Sequence, residues 1–555
     1  MKDRSTLAPH RAPAFIAALM LVMSGRLATA EESTGGTPSQ DASVDSQPDA
    51  SPILPDTGGS ILPDAGTPSS VPATGTPVVF HPPALSVPVP TSTGPRTEGT
   101  SAESSGAAWF ARPRLALTVG QGSRNFKLRF FGFLAADYMA DSTRSYDDSM
   151  GTLLVARTDT YENHHGRTQF SVKSTRLGFG FESPTVDRST LSAVIESDFA
   201  GSQATPPGTV QATISQEPPP RSSEVVYFAS PIFRIRHAYV KAKTPYVDLL
   251  LGHSFDVFGW QNYFDPSGLR NQLSSRNPQV RLSREINTDG AVTFEVAAAA
   301  VRPAQRDSGV PDASAGLRVS FNGWQGIRTP GNERVVANPL TLAVSGIVRQ
   351  FKVNAFTTPP FQRSNSVMGW GISLDAFLPI IPASNLTDRG NRLALMGSFV
   401  KGAGIGDLLS VTGGAKFPIL YRGANIYPPL HYEANIDNGL VSFDELGVLH
   451  AIEWTAFRIG LQYYLPTTGR WIFRTNYTQA HSSNMAMLYP RGGGYETGDL
   501  QYHIADTFRY ADAKLTFDVT PVVRVGVSGQ YTQTVYLDGD SPRNVRVSGN
   551  AIYLF

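Results

Sequence analysis

The residues best suited to do chemistry are charged pairs set two positions apart. Arg234 and Arg236 form one pair, and Glu196 and Asp198 another. On an extended chain this spacing puts both members on one face. A guanidinium stays charged and grips carboxylate or phosphate through two parallel hydrogen bonds. Lining a narrow passage with low-dielectric walls, such groups focus their field on a passing anion. The neighbours matter as much. Phe233, Ile235 and Tyr239 fall on the face opposite Arg234 and Arg236. A strand apolar on one side and cationic on the other separates two media, and the expectation is lipid on one side and pore water on the other.

Continued along the chain, the same alternation places Lys127, Arg129, Arg176, Arg281, Arg318, Arg458, Arg474 and Arg524 on the polar face, with Asp375 and Asp512. Two uses of these arginines stay open. They contact solute weakly enough to release it, or they pair with Glu196 and Asp198 and only keep the wall rigid and wet. The loop 256–275 offers a second set of contacts in Asp256, Trp260, Gln261, Asn262, Tyr263, Asp265 and Arg270. It is expected either to fold into the lumen as a constriction or to pack on a neighbouring subunit.

Other chemistry finds less support. His237, His253 with Ser254, and His450 with Glu453 are the candidates for a lipase-like site, but no G-x-S-x-G nucleophile motif lies near them. The pair His164-His165, with Asp159 and Glu162 nearby, reads as solvated loop residues. Cysteine is absent, which removes disulfides, thiolate ligands and thiol nucleophiles. The chain is therefore read as a non-enzyme without cofactor or metal. A net charge of +1 argues against a nucleic-acid partner.

What must position these residues is a β-barrel. Leu177, Phe179 and Phe181 alternate with Arg176, Gly178, Gly180 and Glu182. The same texture returns at Met368–Ala376, Ala513–Val519 and Val523–Val527. Segments of this kind, separated by turns, are the signature of an all-β transmembrane antiparallel barrel. Short and long connections alternate, although 322–339 is too long for a simple turn. Parity gives about 16 strands, with 18 possible if 402–440 hides a hairpin. No run of about 18 apolar residues follows the N-terminal region, so no helical span is expected.

Residues 1–30 read as a signal peptide: Lys2, Arg4 and Arg11, then the apolar run 15–23, then Ala28-Thr29-Ala30. Residues 31–112 are rich in Pro, Ser, Thr and Gly and read as a disordered periplasmic linker. Residues 113–555 form the barrel domain. Its last strand ends on Phe555, a terminal aromatic of the kind that barrel-assembly machinery recognises. An exported, strand-rich chain without a helical span is expected in the outer membrane of a Gram-negative bacterium. The linker is too short of core-forming residues to be a transporter plug.

In order along the chain, Gly132-Phe133-Leu134-Ala135-Ala136-Asp137, Arg176-Leu177-Gly178-Phe179, Ile195-Glu196-Ser197-Asp198-Phe199, Arg234-Ile235-Arg236-His237-Ala238-Tyr239 and Gly252-His253-Ser254-Phe255 resemble the DcaP-like porins, in the wider group that includes phosphate-selective porins. Arg276-Asn277-Pro278-Gln279-Val280-Arg281 and Gly402-Ala403-Gly404-Ile405-Gly406 are similar too. The resemblance implies a homotrimeric channel for small anionic solutes such as dicarboxylates. Where such proteins often carry a coiled coil ahead of the barrel, this chain has the Pro-rich linker.

Overall fold

A computed structural model describes residues 115–555 apart from 121–124, 147, 149–153, 202–231, 261–272, 274, 289, 304–307, 330–334, 355–363, 384–388, 410–438, 467 and 490–499. The expected signal peptide and linker lie outside the described residues. The strands are β1 (Leu115–Val119), β2 (Phe126–Asp141), β3 (Arg167–Ser171), β4 (Arg176–Glu182), β5 (Thr190–Asp198), β6 (Arg234–Lys243), β7 (Asp248–Phe255), β8 (Arg276–Thr288), β9 (Val292–Val301) and β10 (Asp312–Arg328). They continue as β11 (Val336–Asn354), β12 (Ser364–Ile381), β13 (Arg392–Ala403), β14 (Val441–Phe443), β15 (Leu449–Ala451), β16 (Glu453–Tyr464), β17 (Trp471–His481), β18 (Ala505–Asp518), β19 (Val523–Tyr536) and β20 (Arg543–Leu554).

Sixteen of these make a closed antiparallel barrel. Each strand from β4 to β13 pairs with the next, β13 pairs with β16, and the ladder runs on to β20. It closes when β20 returns to β2, from Phe133 opposite Leu554 to Asp141 opposite Arg546. Strand β3 extends β4 along the same edge of β2. The pair β14–β15 is a separate hairpin, so 441–451 adds nothing to the wall. Long connections such as 142–166, 199–233 and 404–452 share one rim, and short ones such as 183–189, 244–247 and 519–522 share the other.

The period-two pattern explains why the wall forms. Ile195, Val280, Leu282, Ile372, Leu374, Val525, Val527, Val545 and Val547 all point outward and are exposed. Their neighbours Glu196, Arg281, Ser373, Asp375, Arg524, Ser528 and Arg546 are buried on the inner side. An apolar belt on a closed sheet, with every wall strand paired on both sides, is what a bilayer tolerates.

The seam is stepped. β20 stops opposite Phe133, while β2 starts lower, at Phe126. Strand β1 fills the step, from Leu115 opposite Phe130 to Val119 opposite Phe126. It covers a strand edge that would otherwise be bare. The Phe555 N–H donates to the Gly132 carbonyl at 3.2 Å, and its ring stacks on Phe130 at 4.9 Å. Gly132 sits at φ +154, where a Cβ would collide with the Arg176 carbonyl. Phe555→Ala removes the ring pair, at a cost of about 0.5–1.5 kcal/mol. The folded band on unboiled gels is expected to convert at a lower temperature, and an unchanged conversion would show the stack to be idle.

Two departures from alternation correct the expected orientations. In β6 an extra residue interrupts the register: Glu196 faces His237, but Ser197 faces Ile235. This bulge puts His237 on the inner side along with Arg236 and flips everything after it. Tyr239, expected on the lipid face with Phe233 and Ile235, is instead buried inside with Phe131, Val194 and Leu250. The second departure lies within 322–339, where 325–328 pair with 336–339 beyond a bulge instead of forming loop.

The lumen is not uniformly polar. On the inner side of β11–β19, near the long-loop rim, Ile347, Val400, Trp454, Ala456, Ala480, Phe508 and Tyr510 form one apolar core with Phe258, Ile405, Leu408, Met485 and Leu488 from folded-in loops. A bridge between Leu273 and Leu409 ties two of those loops together. Burying these side chains against each other fills part of the mouth with a dry core.

Candidate functional site: a cationic wall beneath the folded-in loop

The opposite wall, β4–β8, is charged. Glu196 and Asp198 stand two apart on β5, and β6 brings Arg234 and Arg236 alongside them. Arg234 grips Asp198 with two bonds, Nε to Oδ1 at 2.8 Å and Nη2 to Oδ2 at 2.6 Å. Arg236 bridges both acids, donating to Glu196 at 2.7 Å and to Asp198 at 2.8 Å. Alternation puts both arginines on one face, and the pairing of Arg234 with Asp198 makes it the face of the acids. Arg176 Nε approaches Glu196 at 3.3 Å and its guanidinium lies over the Phe133 ring.

One member of this cluster was not anticipated. Arg276, at the long-loop end of β8, lies within electrostatic range of Arg176, Arg234, Arg236 and Glu196. Its guanidinium lies 5.1 Å from the Phe255 ring centre. Its Nη1 is buried with no hydrogen-bond partner among the described residues. Strict alternation from Gln279 and Arg281 turns Arg276 outward, so period-two reading passed over it. The visible signal was the density of arginine in the block 276–281.

The other expected lining residues are spread along the wall. Arg129 and Lys127 share Glu182 at the short-turn rim, at 3.2 and 2.7 Å. Arg281 lies on the inner side of β8 opposite Leu250. Arg318 pairs with Glu295 across β9 and β10.

Of the loop 256–275, Asp256 and Trp260 are described. Asn262, Tyr263, Asp265 and Arg270, like Gln261, lie outside the described residues. Asp256 accepts a hydrogen bond from Ser314 and from the backbone of Val257. Gly259 N–H donates to Ser345 at 2.9 Å. Trp260 packs on Ala297, Ala299 and Val301, with the Arg318 guanidinium 5.0 Å from its ring centre. The start of this loop therefore lies inside the barrel, against the inner faces of β9–β11.

The two paired enzyme candidates come apart, while His237 meets Ser254. His237 Nδ1 and Ser254 Oγ are 3.4 Å apart inside the barrel, with Phe255 against the imidazole. His253 is on the alternate parity, opposite Ala238. His450 pairs with Asp444 at 2.9 Å, whereas Glu453 accepts from Ser483.

The long-loop rim is clipped together by Arg157. It donates to Asp538 at 2.5 Å and stands 3.7 Å from the Tyr502 ring centre. Burial alone would raise the Asp538 pKa, but the Arg157 hydrogen bond and charge outweigh it and hold it below the ordinary 3.8. A depressed carboxylate stabilises above its ordinary range, and that contribution is lost as pH falls through the lowered value. A nitroxide attached at Glu162→Cys, in a chain that has no cysteine of its own, is expected to gain mobility in acid. Asp538→Asn is expected to remove the pH dependence, and a label equally mobile at all pH values would refute the clip.

No protein-family model matches the sequence, and no curated protein matches it. Solved structures do. The outer membrane channel DcaP of Acinetobacter baumannii superposes with a TM-score of 0.51 at 16% identity, over 78% of this chain and 97% of that one. The anion-selective porin from Comamonas acidovorans gives 0.43 at 9% identity, over 78% and 100%. OmpF of Salmonella typhi gives 0.41 at 10%, over 79% and 100%. The DcaP superposition shows a common fold, so the DcaP-like resemblance holds at the level of architecture.

Proposed function

We propose that this chain is an outer-membrane porin that lets small hydrophilic solutes, preferentially anions, diffuse along its β4–β8 wall. The observation that carries this is an imbalance of charge. Three guanidinium groups, Arg176, Arg234 and Arg236, gather around two carboxylates, Glu196 and Asp198, and a fourth, Arg276, lies within electrostatic range of Glu196 and of all three arginines. Arg234 and Arg236 are occupied by the acids, so Arg276 is the group with capacity left for a passing carboxylate or phosphate. The apolar core on β11–β19 closes off that side of the mouth, which directs solute to the charged wall. The loop segment 256–260 narrows the passage beside it.

In this reading residues 1–30 direct export, 31–112 form a periplasmic spacer, and the long loops face outward from the cell. The working unit is a homotrimer, delivered to the membrane by barrel-assembly machinery that engages Phe555. The saturation of Arg234 and Arg236 favours a second reading, a channel of little selectivity in which the arginines serve as wall ties. Purified protein in planar bilayers separates the two. In asymmetric potassium chloride the reversal potential is expected to take the sign of chloride preference. A potassium-selective sign, or a silent membrane, would overturn the proposal.

A further inference from the structure

The β10–β11 ladder runs in register to Phe321 opposite Leu340, and then jumps. The next pair is Gln325 with Pro339, which leaves Asn322, Gly323 and Trp324 unmatched. Extra residues in one strand bend it sharply. Trp324 fixes the bend by donating its Nε1–H to the Pro379 carbonyl at 2.7 Å. Pairing then resumes from Gln325 to Arg328, opposite Pro339 to Val336.

This second piece leaves the line of the wall. Gly326 lies so close to Pro379 that a Cβ would come within 2.7 Å of that ring. Ile327 packs with Ala383, Tyr464 and Ile472. Thr329 N–H donates to Gln462 at 3.3 Å, and the Thr329 and Tyr464 hydroxyls are 2.7 Å apart. Gln462 and Tyr464 are inward residues of β16, four strands round the barrel from β10. Along the wall that is about 19 Å, at about 4.8 Å per strand. The hairpin reaches them from inside, crossing the short-turn end of the lumen as a chord.

We infer that the bent hairpin, Gln325–Thr329 with Val335–Pro339, is a second narrowing that sets the size cutoff at the short-turn end of the passage. This rests on the porin reading. It is independent of the cationic cluster, which stands on β4–β8 toward the other rim. Two narrowings in series make the cutoff depend on the side from which a solute enters.

One-sided polymer exclusion tests it. Graded polyethylene glycols are added to one side of a bilayer holding the full-length protein, and the polymer size that no longer depresses conductance is read for each side. The wild type is expected to show different cutoffs from its two sides. Deleting Asn322–Trp324 straightens β10, and Thr329→Val with Gln462→Leu releases the hairpin without shortening it. Each is expected to raise unitary conductance about twofold and to admit larger polymer from the hairpin side only. If the deletion gives no folded band on unboiled gels, the double substitution decides. Equal cutoffs from both sides in the wild type, or unchanged conductance in the folded variants, overturn the inference. A wild type that is silent or potassium-selective is a failure of the porin reading instead.

Discussion

Replacing Arg276 by glutamine is expected to lower the anion-to-cation permeability ratio about fivefold, read as a shift of the reversal potential toward zero in asymmetric salt. A unit charge about 5 Å from a permeating ion, at an effective dielectric constant of about 20, is worth about 3 kcal/mol. Mobile counter-ions reduce this to about 1 kcal/mol, which is the fivefold factor. Glutamine keeps much of the reach of arginine and removes only the charge. The choice of residue matters. Arg234 and Arg236 hold Asp198 and Glu196, so removing either also unmasks a carboxylate. Arg276 holds no acid among the described residues, so its substitution leaves the other pairs in place. An unchanged ratio would mean that passing ions do not come near Arg276.

The second large effect is on stability. Arg349 is buried on β11, where it donates Nε to Asp312 at 2.8 Å, Nη1 to the Gly404 carbonyl at 2.8 Å, and a two-bond grip to Asp407 at 2.5 and 2.7 Å. It thereby fastens the folded-in loop after β13 to the wall. Arg349→Leu leaves two carboxylates facing each other without their counter-charge. Breaking a buried pair in this way costs about 3–5 kcal/mol. The gel conversion temperature is expected to drop sharply and the open-channel current to become noisy as the loop detaches. Adding Asp312→Asn and Asp407→Asn should recover most of the loss, because the stranded charges are then gone. Failure of that rescue would show that packing, and not charge, holds the loop.

The wall was legible because one physical rule governs it. Where Leu515, Phe517, Val525 and Val527 alternate with Lys514, Thr516, Arg524 and Gly526, one face must meet lipid and the other must not. The same rule misplaced Tyr239, since one extra residue opposite Glu196 and Ser197 inverts the pattern and nothing in the residue types marks it. It also passed over Arg276, whose parity points away from the cluster in whose electrostatic range it lies. The apolar core had a signal that was open to reading: Trp454 and Ala456 share the inward parity of Arg458, so β16 turns an apolar face to the inside near the long-loop rim. An apolar face turned inward has something covering it. Strand β1 could not be foreseen, because its partner is a step in the seam, and the step depends on the stagger of every strand between.

That stepped seam also bears on how an incomplete chain behaves. The closing strand, β20, is the last strand in chain order, and its partner β2 belongs to the first part of the barrel. A chain that stops short therefore cannot hide the edge of β2, whatever the rest of the wall has achieved. It keeps a row of unpaired backbone groups open to other chains. The join thus works as a check that the wall has closed, passed when β20 pairs with β2 and Phe555 meets Gly132 and Phe130.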